Sequence, residues 1–140
     1  PEYEKQAKAM HKHGKLMAVH MDGRIGSLKD LIASTAVDIV EALHPPPMGD
    51  LSVGEALDLW PEKAVWVGFP DSTYNVGPEE TKRYAIEFLR GLGTGERVAV
   101  AMSTENIVSN ENLIALTEVL ERAELPLTPD KIDAIEQTVL

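Results

Sequence analysis

Apolar positions along this chain follow two rhythms, a spacing of three to four residues and short continuous runs, and their alternation predicts helices and strands in turn. Tyr3, Ala7 and Met10 stand at i, i+4 and i+7, an amphipathic first helix that Gly14 can end in a left-handed turn. Lys15 to His20 then reads as a strand. Leu28, Leu31 and Ile32 mark a helix opened by Ser27, and Val37 to Leu43 is a strand rich in β-branched and aliphatic residues. Ser52-Val-Gly-Glu55 has the form of a capping box and starts a short helix through Leu59. Ala64 to Phe69 is continuously apolar, as buried parallel strands are. Pro78-Glu79-Glu80 opens a long helix that Gly91 and Gly93 break, and Val98 to Met102 is a fourth strand. A helix from Asn110 to Ala123 carries Leu113, Leu116 and Leu120 on one stripe, and Thr128-Pro129-Asp130 caps a last one.

Strand and helix alternating through short links imply right-handed βαβ crossovers and a parallel sheet. The links differ by direction. Helix-to-strand connections are tight, whereas strand-to-helix connections are longer and hold most of the unusual residues: His20 to Gly26, His44 to Leu51, Pro70 to Gly77 and Ser103 to Val108. That asymmetry is the mark of barrels, whose sites are built from the loops after the strands. The expected fold is α/β, a parallel-stranded (β/α)4 half of a TIM (β/α)8 barrel over residues 1–140, the C-terminal half, with the N-terminal half absent from the chain. An open doubly wound sheet would place ligands at the same strand ends. It usually shows a Gly-rich phosphate turn, and Asp22-Gly-Arg-Ile-Gly26 has the wrong glycine spacing for one. Four strands cannot close a barrel, so the missing half or a second copy must cover two sheet edges and an apolar inner face. A homo-oligomer is the expectation if the chain stands alone.

With 140 residues, 44% of them hydrophobic, the chain can bury a core. A formal charge of -10 and no basic cluster exclude a phosphate-tracking nucleic-acid surface. No apolar run approaches the roughly 20 residues of a membrane helix, which with the absence of cysteine suggests a cytoplasmic protein without a membrane partner. The start at Pro1-Glu2-Tyr3 and the end at Thr138-Val139-Leu140, inside a helical pattern, suggest a fragment.

Without thiols, chemistry falls to His and carboxylates. In His20-Met21-Asp22-Gly23 a strand ends with an imidazole and a carboxylate two residues apart, so alternation puts both on one face and lets them grip a divalent cation, zinc above all. Glu41 in the second strand and Glu105 beyond the fourth are carboxylates that could complete the shell. His20, Asp22 and Glu41 are the candidate catalytic residues, and His20, Asp22 and Glu105 the candidate metal ligands. The Pro run in His44-Pro-Pro-Pro-Met-Gly-Asp50 predicts a stiffly extended loop. Asp50, Ser72, Tyr74 and Asn106, all on strand-end loops, are candidate substrate-binding residues. Structural readings compete throughout: His20 with Asp22 as a hydrogen-bonded pair, Glu41 as a buried acid, Glu105 and Asn106 as turn formers. His11 and His13 read as solvated, and Trp60 and Trp66 as core.

His20-Met-Asp-Gly23, Val37-Asp-Ile-Val-Glu41 and Ser103 to Leu113 with Glu111-Asn112-Leu113 resemble the C-terminal half of the uroporphyrinogen decarboxylase family, which includes the cobalamin-dependent methyltransferases. The resemblance spans nearly the whole chain. It implies a barrel with its site at the strand C-termini, a tetrapyrrole substrate or a corrinoid protein as partner, and either decarboxylation of uroporphyrinogen or metal-assisted methyl transfer from a corrinoid. The methyltransferase branch holds zinc with one His and two Cys; His20 matches, but Asp22 stands at the first Cys position and the second falls near Met102 or Ser103. Thiolate ligation is therefore impossible here, and a His/carboxylate set with Glu105 would harden the metal's environment. The other expectation is a non-catalytic half-barrel module that self-associates or binds a protein partner through its open sheet.

Overall fold

The computed structural model describes residues 2–102 and 107–140, with backbone only at Asp71 and Tyr74. Its elements run α1 (Glu2–His11), β1 (Ala18–His20), a 3₁₀ turn (Gly26–Leu28) leading into α2 (Lys29–Ala33), β2 (Ile39–Leu43), α3 (Val53–Leu59), β3 (Ala64–Phe69), a second 3₁₀ turn (Asp71–Asn75), α4 (Pro78–Arg90), β4 (Val98–Met102), α5 (Asn110–Leu120) and α6 (Pro129–Val139). Two compact units divide them, Pro1–Gly68 with Arg97–Ala101, and Phe69–Glu96 with Met102–Leu140. None of the helices among the described residues is long and apolar enough to cross a membrane.

The first unit is built on a four-stranded, all-parallel sheet in the order β1-β2-β3-β4. Each strand lies beside its predecessor, so these four strands contain no switch point of the doubly wound kind. Val19, Val40 and Val65 lie in register across β1 to β3, with Val40 and Val65 fully buried on one face. Alternation assigns Ala18, His20, Ile39, Glu41, Ala64 and Trp66 to the other face. The Val65 N–H donates to the Arg97 carbonyl at 2.9 Å, the offset by which Ile39 reaches Met17 where Ala18 faces Ile39, so Val65 faces Val98 and Ala99 falls beside Trp66. This second face is open among the described residues. Trp66 is 40% exposed in the middle of the sheet, not packed in the core as its apolar run suggested, whereas Trp60 is buried and donates its indole N–H to the Lys29 carbonyl at 3.0 Å.

Charged side chains stitch the N-terminal ends of the strands to the backbone around them. The Lys63 amine, 6% exposed, donates to the Thr35 and Val37 carbonyls at 2.7 and 2.8 Å. Burial holds that amine below the ordinary lysine value, against the opposing pull of Asp38 and Glu4. Arg97 donates to the carbonyls of Leu57, Trp60 and Lys63 at 3.0, 2.9 and 2.8 Å, and so satisfies the C-terminal end of α3 and the turn into β3. Asp38 accepts from the Met17 N–H and from His11, both at 2.7 Å. His11 is thus tied down rather than simply solvated.

Burial pushes the Asp38 carboxyl up, but the Met17 N–H, the His11 contact and the charge of Lys63 outweigh it and leave it below its ordinary value. A folded value lower than the unfolded one stabilises above the unfolded pKa of about 3.9, and the contribution is lost as pH falls through the folded value. Asp38→Asn is therefore expected to cost roughly 1 kcal/mol at neutral pH, with the gap to the parent closing below about pH 4. Urea unfolding across pH measures it; a gap that persists unchanged in acid would remove the charge from the explanation.

Within the second unit α4 packs on α5 and α6. Phe69 and Phe88 meet edge to face at 5.2 Å, and Arg90 reaches Asp133 and Glu136 at 2.8 and 2.7 Å. The caps read from sequence at Ser52 and Thr128 are present, as is the left-handed Gly14. Ser27 instead lies inside the 3₁₀ turn, and α2 begins after Leu28 without a side-chain cap. On α5 the buried residues are Asn112, Ala115, Leu116 and Val119, so of the leucine stripe Leu116 is fully buried and Leu113 and Leu120 are half-buried.

Candidate functional site at the strand ends

His20 closes β1 in register with Glu41 of β2, which aligns the two side chains on the open face. Its Nδ1 lies 2.5 Å from Glu41 Oε2. A carboxylate oxygen accepts, so Nδ1 carries a proton directed at Glu41. Asp22 Oδ2 stands 3.9 Å from Nε2 of the same ring. The imidazole therefore has a carboxylate at each nitrogen, one hydrogen-bonded and one at a distance that leaves room for an atom between them. His20 and Asp22 are two-thirds exposed and Glu41 is about one-quarter exposed, so the most buried of the three is the one that orients the ring.

A cavity of about 420 Å³ is lined by the polar side chains of His20, Asp22 and Thr35 together with Tyr3, Ile25, Leu28 and Leu31. Leu28 and Leu31 are 47% and 66% exposed, an apolar flank along the sheet's edge strand. Such lining suits a largely apolar ligand with a few polar groups.

The other predicted residues are placed differently. Asp50 accepts from the Gly26 N–H at 2.8 Å, and a Cβ on Gly26 would lie 3.1 Å from its carboxylate, so Asp50 clamps the loop after β2 to the loop after β1. That loop is a turn, with the Gly49 N–H donating to the Pro45 carbonyl at 3.2 Å and a cis Pro46-Pro47 bond, and not the stiffly extended segment its prolines suggested. Ser72 is exposed in the Asp71–Asn75 turn of the second unit, which also contains the backbone of Tyr74. Glu105 and Asn106 lie outside the described residues. Among the described residues there is no group of three His, Asp or Glu placed to hold a metal. His20 and Asp22 supply two donors, and Glu41 is engaged with the far side of the ring.

Sequence reasoning passed over His44. Its Nδ1 lies 2.9 Å from the Ala42 carbonyl, and its ring covers Gly68 of β3. A glycine inside an apolar strand was the available signal, since it marks a bulge or a close approach.

No protein-family model, curated protein or solved structure matches the chain.

Proposed function

We propose that the chain is half of a (β/α)8-barrel enzyme of the uroporphyrinogen decarboxylase kind, acting in the cytoplasm on a tetrapyrrole or a corrinoid-linked substrate. The observation that carries the reading is His20, held through Nδ1 by Glu41 at the C-terminal end of a parallel strand, with Nε2 turned toward Asp22. A carboxylate behind an imidazole fixes its tautomer and raises its basicity as a ligand, the arrangement typical of metal-binding histidines. It favours metal-assisted methyl transfer from a corrinoid over decarboxylation of uroporphyrinogen. His20, Asp22 and Glu105 would hold the metal. The donors are nitrogen and oxygen only, which suits zinc in a harder setting than thiolates provide. When bound, the metal would act as a Lewis acid. The residues themselves bind and orient: Glu41 keeps the proton on Nδ1, and the apolar flank of Leu28 and Leu31 excludes water from one side.

Metal analysis of the purified protein tests this. Bound zinc is expected to fall to background in His20→Ala and in Asp22→Ala, whereas metal content unchanged in both would sink the reading.

The exposed Trp66 and Ala99 favour a second reading, a non-catalytic half-barrel module that self-associates through its open sheet. Under it, Trp66→Lys abolishes association and His20→Ala is silent.

A further inference from the structure

The sheet contains one strained residue, and the strain has a consequence for a neighbouring imidazole. Ala42 has φ 65°, the left-handed region that a residue with a Cβ occupies at a cost of about 1 kcal/mol. It is also where the β2–β3 register slips: Val40 faces Val65, but Leu43 rather than Ala42 faces Val67. One extra residue is therefore inserted into β2, a bulge. Without it, Leu43 would point to the open face and His44 into the buried one. With it, Leu43 is fully buried alongside Val67, and His44 falls beside Gly68 on the face that carries His20, Glu41 and Trp66.

The seat at Gly68 fits that ring. A Cβ built on Gly68 would fall on the imidazole, nearest to Nε2, with Cδ2 and Cε1 at 2.6 and 2.7 Å. Near-equal distances to the two flanking carbons, barely longer than that to Nε2, place the glycine against the face of the ring and not in its plane. The in-plane direction of the Nε2 lone pair is therefore not used by Gly68. The Ala42 carbonyl can only accept, so Nδ1 carries the proton and the neutral ring has a bare Nε2. The loop that follows is packed tightly over the His44 backbone: a Cβ on Gly49 would run into the His44 carbonyl and lie 3.1 Å from the Gly23 carbonyl. Bulge, glycine seat and clamped loop hold one half-buried imidazole in one tautomer.

We propose that His44 is a second working imidazole of the open face, presenting a bare Nε2 as hydrogen-bond and proton acceptor to the O–H, N–H or S–H group of a small-molecule ligand bound at the strand ends. His20 is turned toward a carboxylate, whereas His44 offers its lone pair to a proton donor, so the two rings do different work. The assignment holds whichever reaction the barrel performs.

Two readouts on the full chain test it without any known substrate. Long-range proton–nitrogen correlation spectra of the labelled protein, recorded above the imidazole titration range, are expected to show His44 with a protonated Nδ1 and a bare Nε2. Diethyl pyrocarbonate, which acylates bare imidazole nitrogens, is expected to modify His44 within tenfold of the exposed His13, read by peptide mass spectrometry. Gly68→Ala meets only the far end of a movable side chain, so it should fold, shift the His44 resonances and change its acylation rate several-fold. Ala42→Gly relieves the strained φ, keeps the bulge and should leave both readouts as in the parent. An Nε2–H tautomer at His44, an unmodified His44 beside a fully modified His13, or a Gly68→Ala protein identical to the parent would each overturn the proposal.

Discussion

Replacing Arg97 with Met is expected to lower the free energy of unfolding by about 3 kcal/mol, the largest loss for any single surface-reaching side chain in the first unit. The guanidinium donates to three carbonyls, those of Leu57, Trp60 and Lys63, of which only that of Trp60 is also shown accepting a backbone N–H, from Lys63 at 3.0 Å. Two of them belong to the end of α3, where the last carbonyls of a helix lack intrahelical donors. Hydrogen bonds to a charged group contribute about 1.5–3 kcal/mol each, and water can replace some of them at a half-buried site, so the sum is well below three times that value. Met keeps the apolar stem and removes only the donors. Urea unfolding measures the loss. A shift in midpoint at constant slope would mean stability alone has changed, and a loss within about 0.5 kcal/mol would show that water satisfies these carbonyls equally well.

Gly49→Ala is expected to destabilise by about 2–3 kcal/mol and to spread its damage through both loops at the rim. The added methyl would collide with the His44 carbonyl and approach the Gly23 carbonyl at 3.1 Å, and backbone, unlike a side-chain tip, cannot swing aside. To accommodate it the 44–50 loop must lift, which draws Asp50 away from the Gly26 N–H it holds at 2.8 Å. Amide exchange at Gly26 should therefore rise together with the fall in stability. A stable variant with Gly26 still protected would show that the loop has slack. Gly54, where a Cβ would meet nothing within 4 Å, is the matching control: Ala there, inside α3, is expected to be neutral or stabilising.

The strands were legible because each is a short, nearly uninterrupted run of β-branched and aliphatic residues, and their sequential order followed from the short links between them. The helix starts at Ser52, Pro78 and Thr128 were equally plain, since Ser52 and Thr128 accept from backbone N–H groups three residues on and Pro78 presets φ where its missing N–H is not needed. What the sequence could not display was anything that depends on register. Ala42 has no feature that announces a left-handed conformation, so nothing along β2 shows in advance that His44 joins the face of His20. Trp66 sits in a run apolar on both sides, which hides which face is covered. His20 and Asp22 share a face by simple alternation and were foreseen as a pair. Glu41 was foreseen as a further ligand, yet the β1–β2 register sets it against Nδ1, where it orients the ring. That distinction needs two strands, and no one-dimensional pattern contains it.

One proposition underlies the site and both readings of its function: the sheet is buried on one face and built to be covered by something else on the other. Sedimentation of the chain over a wide concentration range, with Trp66→Lys beside the parent, tests it most directly. The parent is expected to associate as concentration rises, burying Trp66 and the free edge of β1, and the variant, whose substituted position is exposed in the single chain, to fold equally well and sediment as a monomer. A parent that stays monomeric and fully dispersed at every concentration would contradict the account, because a face with an exposed tryptophan would then need no partner.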